Sequence, residues 1–111
     1  MNDCIFCKIA AKKIPSDIVY EDPDVIAFCD IAPQAPCHFI VIPRKHYPTL
    51  EGMDAQLMGK LLYAAHQIAQ DESLLPQGYR IVINNGDHGG QSVFHLHLHL
   101  LGGRHLGWPP G

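Results

Sequence analysis

The chain has 111 residues, 47% of them hydrophobic and 17% charged, with a formal net charge of −3. These values suit one packed domain over residues 1–111 and exclude a disordered chain. The acidic balance also speaks against a general nucleic-acid binder, which carries a basic patch. The opening "MNDCIFCKIAAKK" holds no long apolar run, so neither a secretory leader nor a membrane span is expected, and the cytoplasm is the expected compartment.

A short helix is expected near 4–11. "DIVYED" (17–22) and "DVIAFCD" (24–30) are rich in β-branched and aromatic residues and flank Pro23, which predicts a hairpin. "IAPQAP" (31–36) reads as an irregular turn, and "HFIVIP" (38–43) as a third strand stopped by Pro43. From about Asp54 to Glu72, Leu57, Leu61, Ala65 and Ile68 recur at helical spacing, with Met58, Leu62 and Ala69 widening the stripe. "LLPQG" (74–78) ends that helix, "YRIVIN" (79–84) is a fourth strand, "NGDHGGQ" (85–91) a glycine-rich loop, and "SVFHLHLHLL" (92–101) a fifth strand. This order predicts an α+β domain with a mainly antiparallel sheet, one long helix and one short one.

In an extended segment alternate side chains share a face. His95, His97 and His99 therefore look one way, while Leu96, Leu98 and Leu100 anchor the other side in a core. Three readings follow: surface histidines, a metal site, or a nucleophilic imidazole with two supporting ones. Barrel hydrolases with a His-x-His pair need roughly twice this length. Neutral imidazole is a competent nucleophile towards phosphorus, and a neighbouring hydrogen bond fixes its tautomer. Just upstream, the loop around Gly90 offers backbone N–H groups suited to a phosphate, and Gln91 and Ser92 add polar side chains. Phosphoramidate cleavage needs a nucleophile, a donor for the leaving nitrogen and donors for the phosphate oxygens. Residues 84 to 99 contain candidates for all three.

"HLHLHLL" (95–101), within "GGQSVFHLHLHLLGGR…WPPG", resembles the histidine triad family, and its Hint branch of nucleoside phosphoramidases in particular. The resemblance continues in "AFCDIAPQAPCHFIVIPRKHY" (27–47) and "IFCKIAAKKIPSDIVYED" (5–22). It implies a five-stranded antiparallel sheet with a long helix, in a homodimer whose sheets join. It implies that His97 is the nucleophile, that His99 hydrogen-bonds the reacting phosphate and leaving group, and that His95 orients His97. Ser92 would assist departure of the amine, with Gln91, Gly90 and Asn84 near the phosphate. Asp30 would hold the ribose, although an Asp before a proline-rich turn is also an ordinary turn former. Phe6, Ile9, Ile14, Phe28 and Ile31 match the base pocket; each is otherwise an ordinary core residue. The tail "GGRHLGWPPG", with Trp108, would reach the partner's site.

"CIFC" sets Cys4 and Cys7 at metal-ligand spacing, against the readings of a redox pair or two packed small hydrophobes. The resemblance implies a structural zinc held by Cys4, Cys7, His46 and His95. Cys29 and Cys37 read as packing residues. His38, His66, His88 and His105 read as surface or loop histidines, with His88 in the glycine loop able to approach substrate.

The expected function is hydrolysis of the P–N bond of a purine nucleoside 5′-phosphoramidate through a nucleotidyl-histidine intermediate. The competing readings are a dinucleoside polyphosphate hydrolase or transferase of the same superfamily, and a nucleotide-binding adaptor with incidental catalysis. Neither nucleic acid nor membrane is an expected partner.

Overall fold

In the computed structural model, which describes residues 3–111, two helices and five strands follow the expected order. They are α1 (Ile5–Ala10), β1 (Ile18–Glu21), β2 (Val25–Cys29), β3 (Cys37–Pro43), α2 (Ala55–Asp71), β4 (Tyr79–Ile83) and β5 (Leu98–Gly102). The strands form one antiparallel sheet in the order β1-β2-β3-β5-β4. The α+β expectation holds. Among the described residues no helix is long and apolar enough to cross a membrane.

Local chemistry sets the helix ends. The Asp54 carboxylate accepts the Leu57 N–H at 2.8 Å, capping α2. The Cys4 sulfur accepts from the Cys7 N–H at 3.4 Å at the start of α1.

Strand alternation gives the sheet two different faces. Val25, Ala27, Phe39, Val41, Leu98 and Leu100 point towards α2 and pack on Leu61, Ala64, Ala65, Ile68 and Ala69. Ile26, Phe28, Ile40 and Ile42 point the other way, where Ile9 of α1 covers them. The register pairs Ile40 with His99 and His38 with Leu101. Directly opposed residues of an antiparallel pair share a face, so His38 and His99 lie on the α1 side.

Two expectations are corrected. Met58 and Leu62 do not widen the buried stripe of α2; they are exposed, as is Tyr63, and Ala64 is buried instead. The stripe turns to the 57/61/64/65/68 face because the sheet covers one side of the helix only. The fifth strand begins at Leu98 rather than at residue 92. Before it, the Leu96 N–H is taken by the Tyr47 carbonyl at 2.7 Å, outside any strand ladder. The alternation of side chains survives: Leu96 is fully buried in the α2-side core, as expected for the leucine face.

Candidate functional site

The three histidines are not surface residues. His95 is 0% and His97 6% exposed, and the His97 and His99 rings stand 4.9 Å apart. Phe6 of α1 packs edge-on against His97, with centroids 5.1 Å apart, and reaches His95 and Phe28 as well. Short α1 therefore lays its aromatic residue on the triad, beside Ile9, Ile14 and Phe28 of one apolar cluster.

Main-chain groups fix where each imidazole carries its proton. A carbonyl only accepts and an amide N–H only donates, so tautomers follow from the partners. The His97 Nδ1–H donates to the His95 carbonyl at 2.9 Å. Its Nε2 is left as a lone pair, the form a nucleophile needs. The His95 Nε2–H donates to the Pro43 carbonyl at 2.8 Å, which leaves Nδ1 as a lone pair. His95 thus orients His97 through its backbone carbonyl, while its ring faces elsewhere.

The His38 Nδ1 accepts the Gln34 N–H at 3.0 Å, so its proton sits on Nε2, 2.9 Å from the His99 Nδ1. His99 then holds its own proton on Nε2. It can give up that proton and take another at Nδ1 from His38. The Asp30 carboxylate lies 3.4 Å from the same His38 nitrogen. Asp30, His38 and His99 bring three ligand-type atoms within 4.8 Å of one another. A metal there would need the His38 Nε2 that Gln34 keeps protonated, so this cluster suits proton transfer better than coordination.

A second cluster has the opposite character. Cys4 Sγ, Cys7 Sγ, His46 Nδ1 and His95 Nδ1 lie within 4.8 Å of one another. His95 is 3.3 Å from Cys4, 3.4 Å from Cys7 and 3.2 Å from His46, and His46 is 3.3 Å from Cys7. Tetrahedral zinc, with Zn–S about 2.3 Å and Zn–N about 2.0 Å, spaces its ligand atoms about 3.3–3.8 Å apart. The donor set fits, and Pro43 acts as the outer partner that presents the His95 lone pair.

The glycine loop closes on itself. The Gln91 N–H donates to the Gly86 carbonyl at 3.1 Å, and the Gly86 N–H returns to the Gln91 Oε1 at 2.8 Å. A side chain at position 89 would strike the Asn85 backbone at 2.8 Å, so glycine is required there. Gly90 is exposed with φ +80°, a left-handed conformation that favours glycine.

A family model for the HIT domain matches residues 11–106. The chain belongs to the HIT domain family. An uncharacterized HIT-like protein of Synechococcus elongatus is 54% identical over 113 residues, covering 99% of this chain and 98% of that protein. A protein of Brassica juncea named a 14 kDa zinc-binding protein is 49% identical over 115 residues, covering 98% of this chain and 100% of its own. The crystal structure of a HIT family hydrolase from Legionella pneumophila matches with a TM-score of 0.94 at 48% identity, covering 98% and 100% of the two chains.

Within this HIT fold the remaining site residues separate. Asn84 is half-buried, and Ser92 and His88 are exposed next to the loop. Asp30 does act as a turn former, its Oδ1 accepting the Ala32 N–H at 2.8 Å, while Oδ2 faces His38. Ile31 is 98% exposed, outside the apolar cluster formed by the other base-pocket candidates. Trp108 is 81% exposed, with the Arg80 guanidinium over its ring, 6.0 Å from the centroid. Cys29 and Cys37 pack on the core as expected.

His38 is the residue the sequence reading missed. Expected at the surface, it is 6% exposed and bonded to the triad. His66 also differs, being half-buried and bonded to the Tyr79 hydroxyl. Alternation along β3 was the signal for His38, since it shares a face with Ile40 and Ile42.

Burial lowers the pKa of all three triad histidines. His99 is pushed down to about 4, mainly by burial, with the neighbouring His97 and His38 adding to it. In the unfolded chain it titrates near an ordinary value of about 6.5. Between those values the unfolded state binds more protons, so stability is lost as pH falls from about 6.5 towards 4. Urea unfolding at several pH values across that window should show this slope, and His99→Asn should flatten it. A slope unchanged by the substitution would remove His99 as its source.

Proposed function

We propose that this HIT protein hydrolyses the P–N bond of purine nucleoside 5′-phosphoramidates through a nucleotidyl intermediate on His97. One observation carries the reading: the His95 carbonyl holds the His97 Nδ1–H, leaving Nε2 as a lone pair in the segment that follows the glycine loop. Nε2 attacks phosphorus, the P–N bond breaks, and the leaving amine takes a proton from the His99 Nε2–H, assisted by the Ser92 hydroxyl. Water then attacks phosphorus, breaks the P–Nε2 bond, returns a proton to His99 and releases the nucleoside 5′-monophosphate. Phe6, Ile9, Ile14, Phe28 and Ile31 would face the base, Asp30 the ribose, and Asn84 and Gly90 the phosphate. Turnover of adenosine 5′-phosphoramidate, measured against a diadenosine polyphosphate, tests the reading. Faster turnover of the polyphosphate would favour the other enzyme class, and tight binding without turnover of either would favour the adaptor.

In the same reading Cys4, Cys7, His46 and His95 hold zinc, supported by their donor set and by the name of the Brassica relative. When bound, the metal supplies a cross-link joining α1, the segment after β3 and the triad.

The reading also includes a homodimer. Its support is apolar surface: β4 is a sheet edge, Ile83 is 42% and Leu62 54% exposed, and the tail presents Trp108. Leaving such side chains in water forgoes roughly 1.5–3 kcal/mol each. Sedimentation at micromolar concentration should give twice the chain mass, and deletion of residues 105–111 should alter preference among leaving amines more than nucleotide affinity. A monomer of normal activity would count against it.

A further inference from the structure

Gln91 is 7% exposed, beside the nucleophilic segment, and its side-chain amide is engaged on every side. Oε1 accepts the Gly86 N–H at 2.8 Å. Nε2 donates to the Pro48 carbonyl at 2.6 Å and to the Val93 carbonyl at 3.0 Å. A primary amide has two N–H donors, and here both go to the main chain. A phosphate oxygen could take one only after the Pro48 or Val93 carbonyl lost its partner and the buried Gln91 side chain turned away from the loop.

The three partners lie at mechanically distinct points. Gly86 begins the glycine loop, Val93 leads into the triad, and Pro48 belongs to the segment after β3. That segment meets the loop and the triad twice more: the Leu50 N–H donates to the Asn85 Oδ1 at 2.7 Å, and the Tyr47 carbonyl accepts the Leu96 N–H at 2.7 Å. The main-chain bond from Gln91 to Gly86 closes the loop a second time.

We propose that Gln91 is a positioning residue: its buried amide ties both ends of the glycine loop to residues 47–50 and sets the loop N–H groups against His97, without touching the phosphate itself. The proposal deepens the phosphoramidase reading, since it takes the loop to be where phosphate binds.

Gln91→Glu keeps the shape but turns an oxygen lone pair on the Pro48 and Val93 carbonyls. Gln91→Met keeps the length and removes every polar bond without adding charge, and so covers the case in which the acidic variant fails to fold. Amide exchange in the ligand-free protein should be faster over residues 86–91 in the variants. A misplacement of about 1 Å can cost on the order of 100-fold in rate, so kcat for adenosine 5′-phosphoramidate should fall about 10- to 100-fold. KM and AMP affinity should change less than about threefold, because uniform binding is not what is lost. Unchanged exchange over 86–91 in the ligand-free Gln91→Met protein would overturn the proposal, as would a raised KM with kcat intact, the signature of a substrate contact. Because the exchange measurement needs no substrate, it decides the positioning role even if the phosphoramidate proves not to be turned over.

Discussion

Replacing His97 by alanine should lower turnover by about 10⁴-fold or more, the scale seen when a nucleophile acting as part of a unit is removed. The reason is the single lone pair that His97 presents. His95 cannot substitute, because its Nε2 is tied to Pro43 and its Nδ1 faces the two cysteines. His99 cannot either, because its Nδ1 accepts from His38 and its other nitrogen carries the proton. Nucleotide binding should survive, since the apolar cluster around Ile9 and Phe28 does not depend on the imidazole, although Phe6 loses an edge-on neighbour. Quenched reactions of the wild type should trap the nucleotidyl group on His97. Turnover within a few fold of wild type in the alanine variant would sink the assignment.

The second large effect is on stability. Cys4→Ala combined with Cys7→Ala should reduce metal content from about one equivalent per chain to none. It should also lower Tm by roughly 5 °C or more, which corresponds to about 1 kcal/mol in a domain of this size. A structural metal contributes its binding energy to folding, and here it would join three chain segments far apart in sequence. Most of kcat should remain. The His95 carbonyl that orients His97 is also held by the ring's bond to Pro43, which the substitutions leave in place. KM should rise, because α1 carries Phe6 between the two cysteines. Metal analysis, thermal melts and kinetics on protein purified without chelator check the three parts. Metal-free wild-type protein of full stability would refute the structural role.

What was legible in the sequence was whatever is decided locally. The bounds of α2 follow from Asp54 and the apolar period, and the first hairpin from β-branched runs around Pro23. The opposed faces of leucine and histidine follow from alternation, and the metal-type group from the C-x-x-C spacing and the family resemblance. What was not legible depends on distant partners. Residues 92–97 carry a strand-like sequence, but the Leu96 N–H bonds to the Tyr47 carbonyl, and the Val93 and His95 carbonyls accept from the side chains of Gln91 and His97. His38 looks like an ordinary strand residue until the register sets it against His99, 61 positions away. Gln91 sits among loop residues that suggest phosphate, and only the positions of Pro48 and Val93 show where its amide goes.

The proton on each reacting imidazole is assigned by a peptide group: the carbonyls of Pro43 and His95, and the N–H of Gln34 acting through His38. Sites that orient a histidine with a carboxylate can be disabled by one side-chain change. Here no substitution deletes a carbonyl, and only proline at position 34 would delete that N–H. For His95 and His97, protonation is therefore a property of backbone register rather than of a neighbouring side chain, whereas His99 also needs the His38 ring. The arrangement passes intact to any sequence that keeps the four histidines and holds β3, residues 95–97 and β5 in line, and a one-residue slip would erase it even with all four histidines present.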